Sequence, residues 1–162
     1  VFMLRQFDPL LKDIDPTSKQ AQDLVVPDPW GSEMDAFSQV LAMIERASMA
    51  AINAKASQGT DMMIAMFDES LADLGYTLLT PRDARHRGGH IKLHHPDAAA
   101  IARGLRVAKN VVPDYREPHG IRVSIPPLPT SYAEVFAGIE PIRDFTARGD
   151  YREFIGTTSK VT

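Results

Sequence analysis

With 162 residues, 44% hydrophobic and 24% charged, the chain has the composition of a globular protein: one domain, or a small domain with an extension. A net charge of −3 gives no electrostatic case for nucleic acid or an anionic membrane, and no run approaches the roughly 18 apolar residues of a membrane span. The absence of cysteine excludes disulfides, thiolate metal sites and every cysteine nucleophile. The N-terminal VFMLRQFDPLLKDID lacks the basic-then-apolar order of a secretory signal, so the cytoplasm is the expected location. Residue 1 is Val, which fits either a literally translated alternative start codon or a piece of something longer.

Residues 1–32 are the least regular stretch. Phe2, Met3 and Leu4 suggest a short strand, and Leu24, Val25 and Val26 a second, but Pro9, Pro16, Pro27 and Pro29 interrupt anything longer. Asp28-Pro29-Trp30-Gly31-Ser32 reads as a turn, with Ser32 placed to cap a helix. From Glu33 the period becomes helical: Met34, Phe37, Val40, Leu41 and Ile44 form one stripe. The alanine-rich stretch to Lys55 continues it, Gly59-Thr60 offers a break, and Met63, Phe67, Leu71 and Leu74 resume the stripe. One long bent helix or two in tandem fit this pattern, with Gly75 as the left-handed terminator. The methionines read as core gap-fillers.

Residues Tyr76–Leu79 predict a short strand stopped by Pro81, and Asp83–Arg87 an exposed loop. Ile91 and Leu93 alternate with His90, Lys92 and His94, as in a half-buried strand. Pro96 opens a helix with Ile101 and Leu105 inward. Val111 and Val112 start the next strand, the Tyr115–Gly120 segment turns it back, and Ile121, Val123 and Ile125 alternate with Arg122 and Ser124. After the Pro126-Pro127-Leu128-Pro129 elbow, Ser131 and Glu134 have capping-box spacing. The helix they open, to about Ala147, buries Val135, Ile139, Ile142 and Phe145. Residues 156–162 read as a frayed tail. The order helix, strand, strand, helix, strand, strand, helix predicts an α+β fold: a small, mainly antiparallel sheet with helices packed on one face.

Five histidines raise the question of a metal site. His90 and His94 lie on one strand face, on the order of 13 Å apart at strand rise, and cannot chelate one ion. His94 and His95 point to opposite faces, so no metal is expected. Arg122 is the sharper candidate. It points away from Ile121 and Val123, and a planar guanidinium suits two-pronged capture of a carboxylate. A surface arginine paired with Asp114 or Glu117 accounts for the same pattern.

Residues from about Met49 to Phe154 resemble the C-terminal small domain of kynureninase, a pyridoxal-phosphate enzyme of the aspartate-aminotransferase fold type. The matching run includes Ala54-Lys55-Ala56-Ser57, Thr80-Pro81-Arg82-Asp83, Arg87-Gly88-Gly89-His90 and Leu93-His94-His95-Pro96. It continues through Val112-Pro113-Asp114-Tyr115-Arg116, Gly120-Ile121-Arg122-Val123 and Pro127-Leu128-Pro129-Thr130-Ser131-Tyr132. The resemblance implies that Arg122 binds the α-carboxylate of an amino-acid substrate. It also implies that the complete family enzyme cleaves L-kynurenine to anthranilate and L-alanine with pyridoxal phosphate. The chain departs from the pattern in three ways. None of Lys12, Lys19, Lys55, Lys92, Lys109 and Lys160 sits in a motif like that of the family's aldimine lysine. That lysine, the aspartate that pairs with the pyridinium nitrogen and most of the phosphate cup lie in a large domain that these residues do not resemble. Pro129 stands where the family usually has an aromatic residue.

Residues 1–48 are similar to the C-terminal end of low-molecular-weight protein tyrosine phosphatases. The match rests on Phe2–Pro9, Val26-Pro27-Asp28-Pro29-Trp30-Gly31, Phe37-Ser38-Gln39-Val40 and Ile44-Glu45. It implies that Asp28 corresponds to the general acid of that family and Trp30 to an aromatic residue flanking its active site. With no cysteine nucleophile, such an acid has nothing to serve, and Asp28 reads equally as a turn residue before proline. Together the two resemblances divide the chain into a phosphatase-tail-like segment, 1–48, ending in a helix, a kynureninase-like small domain, 49–155, and the tail, 156–162.

Three functions remain open on the sequence. The chain is part of a kynureninase-like hydrolase, inactive alone and with no cofactor of its own, or it is a non-catalytic fusion or remnant that binds small carboxylates, or it carries phosphatase ancestry without activity. The expected partners are a small amino-acid substrate, by resemblance, and a second copy of the chain in a homodimer. Arg122 is expected to lie partly exposed on the sheet face, without a buried carboxylate partner.

Overall fold

The turn at Asp28–Ser32 forms as the sequence predicts. The Asp28 carboxylate accepts the Trp30 N–H at 2.9 Å, the Ser32 N–H reaches the Pro29 carbonyl at 3.0 Å, and Gly31 takes the left-handed φ of 81°. Helix α1 (Met34–Ser70) comes next as one continuous helix. In the computed structural model, which describes residues 3–156, the chain forms two compact units, Val1–Lys55 and Ala56–Thr162, with α1 contributing residues to each.

The first unit contains 3-10 helices at Leu4–Phe7, Pro9–Leu11 and Lys19–Leu24. The two short strands predicted here do not form (Phe2 lies outside the described residues): Leu4 is in the first of these helices, Leu24 ends the third, and Val25 and Val26 are irregular. Local bonds take the backbone groups that a strand would need. The Gln6 N–H donates to the Met3 carbonyl at 3.0 Å, and the Gln6 side chain accepts the Met3 N–H at 3.1 Å. Asp8 is fully buried. Its carboxylate accepts the Leu10 N–H at 3.0 Å and takes two bonds from Arg46, Nε to Oδ1 and Nη2 to Oδ2, each at 2.7 Å. The Arg46 guanidinium holds the Asp8 carboxyl below its ordinary pKa.

The second unit carries the sheet. Strands β1 (Thr77–Leu78), β2 (His90–His94), β3 (Asp114–Arg116) and β4 (Gly120–Ser124) lie in the order β1-β2-β4-β3, and every pairing is antiparallel. Helices α2 (Ala98–Lys109) and α3 (Tyr132–Arg148) complete the predicted α+β architecture. Ile91, Leu93 and Ile121 are fully buried and share a core with Met63, Phe67 and Leu71 of the α1 side, Ile101 and Leu105 of α2, and Ile139, Ile142 and Phe145 of α3. Each such aliphatic side chain contributes about 1.5–3 kcal/mol on burial.

Three boundaries differ from expectation, each for a local reason. Gly59 does not break α1: it is buried, and a Cβ there would meet the Ile125 side chain at 2.4 Å, so this glycine lets the segment after β4 lie against the helix. The α1 helix gives way at Leu71 to a 3-10 turn, Ala72–Leu74, which Gly75 ends in the left-handed conformation (φ 88°). Strand β3 starts at Asp114 rather than Val111, because Asn110 is left-handed (φ 53°) and the Val111 N–H still bonds the Leu105 carbonyl at 3.1 Å, closing α2. Pro113 then has no N–H to give a ladder. The capping box at α3 forms as expected: Ser131 accepts the Glu134 N–H at 3.2 Å, and the Glu134 carboxylate accepts the Ser131 N–H at 2.7 Å. The expected frayed tail lies, apart from Gly156, outside the described residues.

His95 comes directly after β2 and turns inward, buried between Tyr76 and Tyr151 with ring centroids at 4.8 and 5.7 Å. Its Nδ1 accepts the Asp97 N–H at 3.0 Å, so protonation at Nδ1 would break that bond. Burial holds its pKa below the ordinary 6.5. Tyr76 donates to or accepts from Thr146 at 2.8 Å, and burial pushes its phenol up to about 12. A depressed folded-state pKa at His95 means that its contribution to stability is complete above the unfolded-state value and is lost as pH falls toward the folded-state value. Urea midpoints should therefore decline as the pH falls through about 6.5, the ordinary histidine value, and below. His95→Gln, which keeps an acceptor but does not titrate, should flatten that slope; an equal slope in the variant would assign the effect elsewhere.

Candidate functional site

Antiparallel register decides which side chains share a face. Ile91 is paired with Val123 and Leu93 with Ile121, and these point to the helices. One residue along each strand, the partners face the other way: Lys92 opposite Arg122, His90 opposite Ser124, and Asp114 opposite Arg122 on the far side. Lys92, Arg122 and Asp114 thus form one row across three strands on the face turned away from the core. His94 stands two residues from Lys92 on the same face, and its ring meets His119 edge-on with centroids at 5.5 Å.

Arg122 is the sequence-predicted binding residue, and its side chain is 31% exposed. It is paired with Asp114, the alternative that its spacing left open. Both Arg122 donors go to the same carboxylate oxygen: Nε reaches Asp114 Oδ2 at 2.8 Å, and Nη2 also donates to Oδ2. Arg116 adds Nε to that oxygen at 3.0 Å. This is neither a buried clamp nor a two-oxygen fork, since Asp114 is itself 44% exposed. Arg122, aided by Arg116, holds the Asp114 carboxyl below its ordinary pKa. The row therefore keeps a guanidinium on an open surface, with its planar edge already turned to a carboxylate.

The segment that leads into β2 is fixed by a residue whose role the sequence does not announce. Arg87 was expected in an exposed loop, yet its side chain is only 1% exposed. The segment contains a 3-10 turn, Ala84–His86, where the Asp83 carboxylate accepts the Arg85 N–H at 2.9 Å. Arg87 then turns under it. Its Nε donates to the Thr60 hydroxyl at 3.0 Å, Nη1 to the Arg82 carbonyl and Nη2 to the Asp61 carboxylate. Thr60, itself fully buried, donates on to the Ser57 carbonyl at 2.8 Å. The signal in the sequence was an arginine next to Gly88-Gly89 and a threonine after the buried Gly59, neither of which marks burial.

Asp28, the other predicted candidate, is exposed, and its carboxylate caps the Asp28–Ser32 turn. The histidines do not combine into a metal site: among the described residues no group of three or more His, Asp or Glu is placed to hold an ion. A cavity of about 150 Å³ lies on the helical side, between α1 and α3, lined by Met66, Glu69, Phe136, Ile139, Glu140 and Arg143. It is well below the several hundred Å³ of ordinary small-molecule sites, and two of its walls are acidic. Among the described residues, no helix is long and apolar enough to cross a membrane.

Known proteins share this part of the chain. A family model described as the kynureninase C-terminal domain matches residues 52–142, the span that holds the whole sheet. The kynureninase of Shouchella clausii (strain KSM-K16) is 33% identical over 114 residues, which is 70% of this chain and 26% of that protein. That of Bacillus cereus (strain ZK / E33L) is 32% identical over the same shares. The Pseudomonas fluorescens enzyme is 31% identical over 115 residues, 67% of this chain and 27% of its own. The chain spans about a quarter of the length of these relatives.

The geometry sets two expected outcomes. Arg87→Ala removes charge-assisted bonds from a buried site and should cost about 2–4 kcal/mol in urea unfolding, whereas Arg85→Ala, on the exposed side of the same segment, should change stability by no more than about 0.5 kcal/mol. With no cysteine in the sequence, p-nitrophenyl phosphate should not be hydrolysed, and Asp28→Ala should alter the turn alone; vanadate-sensitive turnover lost in that variant would restore a phosphatase role.

Proposed function

The chain belongs to the kynureninase family through its C-terminal domain, and on that premise we propose that it is the small domain of a kynureninase-like hydrolase. In this reading the complete enzyme cleaves L-kynurenine to anthranilate and L-alanine, and Arg122 binds the α-carboxylate of the substrate. The observation that carries the proposal is the row on the open face: a partly exposed guanidinium, held edge-on to a carboxylate that water already reaches. A substrate carboxylate can replace or share that contact without the cost of desolvating a buried pair. The fixed sheet position orients the substrate at one end, which is how a remote binding group raises the rate at the reacting centre.

Kynureninases work with pyridoxal phosphate, which would supply the electron sink for the hydrolytic cleavage of the bond between the substrate's β-carbon and its ketone carbon. The described residues do not by themselves fit that cofactor. The outer face is open rather than enclosing, and Asp114 is exposed and engaged by two arginines, unlike a buried partner for a pyridinium nitrogen. The small cavity on the helical side, where Arg143 is outnumbered by Glu69 and Glu140, suits a phosphate no better. In this proposal the cofactor contacts, the lysine that would hold the cofactor among them, come from the part of the enzyme that the chain does not span, the 162 residues alone bind no cofactor, and the enzyme works in the cytoplasm as a homodimer.

Two measurements test this. The 162-residue chain mixed with pyridoxal phosphate and L-kynurenine should give no anthranilate fluorescence above a buffer blank. Grafted in place of the matching segment of the Shouchella clausii kynureninase, it should support turnover, and Arg122→Ala in that chimera should lower kcat/KM about a hundredfold, the loss typical of a charge-assisted carboxylate contact. An active chimera indifferent to Arg122→Ala would show that the arginine is a structural ion-pair partner only.

A further inference from the structure

A ligand carboxylate that reaches Arg122 meets a resident of its own chemistry. Within the row, Arg122 has Lys92 opposite it on β2 and Asp114 opposite it on β3, so Asp114 is the row's one carboxylate. Arg122 directs both Nε and Nη2 to Asp114 Oδ2, while Asp114 Oδ1 takes no hydrogen bond among the described residues. Arg116 is the second cation on Oδ2, and it is held differently. It lies two residues from Asp114 on β3 and so on the same face. Its Nε and Nη2 both stand 3.0 Å from that oxygen. Because β3 is the outer strand of the sheet, this second pair is made within one strand and does not pass through β4.

The two partners of Asp114 therefore separate on exchange. If a ligand carboxylate takes Arg122, Asp114 keeps Arg116 and stays charged; without Arg116, Asp114 would have Arg122 alone and hold it more tightly. Resting on the reading of Arg122 as a carboxylate site, we infer that Asp114 is a built-in competitor for the Arg122 seat. Arg116 sets the strength of that competition by holding Asp114 while a ligand is bound. One ligand carboxylate displaces one resident carboxylate, so the exchange suits a ligand with a single carboxylate. The consequence is selectivity. A small free carboxylate must break the Arg122–Asp114 contact with nothing else to offset it, whereas an amino-acid substrate held elsewhere as well draws on those further contacts. All three side chains reach water, so the exchange leaves no charge buried and unpaired.

The test uses the full 162-residue chain at low ionic strength, where exposed charges are least screened. Acetate is titrated while the amide resonances of β3 and β4 are followed by NMR. Asp114→Asn keeps an acceptor oxygen beside Arg122 but removes the charge, and should tighten acetate binding about two- to fivefold, the effect of one exposed ion pair. Glu117→Gln neutralises an exposed carboxylate of the adjoining turn that lies outside the ion-pair cluster, and should leave binding unchanged. Arg116→Gln should weaken binding in the native chain and have no effect beside Asp114→Asn. Affinity that is unchanged or lower in Asp114→Asn, or that rises equally in Glu117→Gln, overturns the inference. An Arg116→Gln loss that persists beside Asp114→Asn makes that arginine a direct anion ligand and overturns the role given to it. The Arg122 reading is tested separately by Arg122→Met beside Asp114→Asn, which should remove the acetate response. If it does so while Asp114→Asn gives no tightening, the competitor fails and the Arg122 reading stands. Acetate binding that survives Arg122→Met, or that is absent from every variant, overturns the Arg122 reading itself.

Discussion

The pairing of β2 with β4 is the constraint on which the rest of the second unit depends. In its register Ile91 meets Val123 and Leu93 meets Ile121 on the core side, and Lys92 meets Arg122 on the other. A slip by one residue would exchange the faces, burying a lysine and an arginine and exposing aliphatic side chains. The energy that fixes the register is therefore hydrophobic, while the consequence for function is electrostatic. The cationic row is placed by the burial of its neighbours.

A register fixed by burial still needs its ends anchored. At the end near Ser124, the backbone passes to Ile125, whose N–H bonds the Gly89 carbonyl at 2.9 Å and whose side chain lies against Gly59. Gly89 in turn comes two residues after Arg87, which holds the loop to Thr60 and Asp61 of α1. At the end near Gly120, His95 enters the core, and its N–H bonds the His119 carbonyl at 3.0 Å. The two ends differ in kind: one rests on a buried guanidinium that keeps its charge at any ordinary pH, the other on an imidazole whose pKa burial lowers.

Much of this was legible in the sequence because periodicity reports burial. The alternation in 90–94 and 121–125 marked the strands and their inward faces, and the Ser131–Glu134 spacing marked the start of α3. What the sequence hid were contacts that depend on tertiary partners. Gly59 looks like a helix break until Ile125 is seen against it, and Arg87 looks like a loop cation until Thr60 is seen beneath it. In the first unit, apolar triplets suggested strands, but among the described residues no ladder partner exists there, and side chains such as those of Gln6 and Asp8 satisfied the backbone locally. Arg122 was legible as an outward-facing arginine, and its pairing with Asp114 as one of two options. The ligand proposed for it was carried by family resemblance and not by spacing.

The ion pair at Arg122 also bears on how the proposed site would stay available. A bare guanidinium beside a lysine would be costly to hold in one geometry, because both side chains would spread apart into water. Asp114 offsets this by taking two arginines on one oxygen, so the direction of Arg122 is set. Because Asp114 remains exposed, the contact is weak enough to exchange for another carboxylate, which a buried pair would resist. The same carboxylate thus organises the arginine and leaves it open to replacement, an arrangement that the proposed carboxylate-binding role would require.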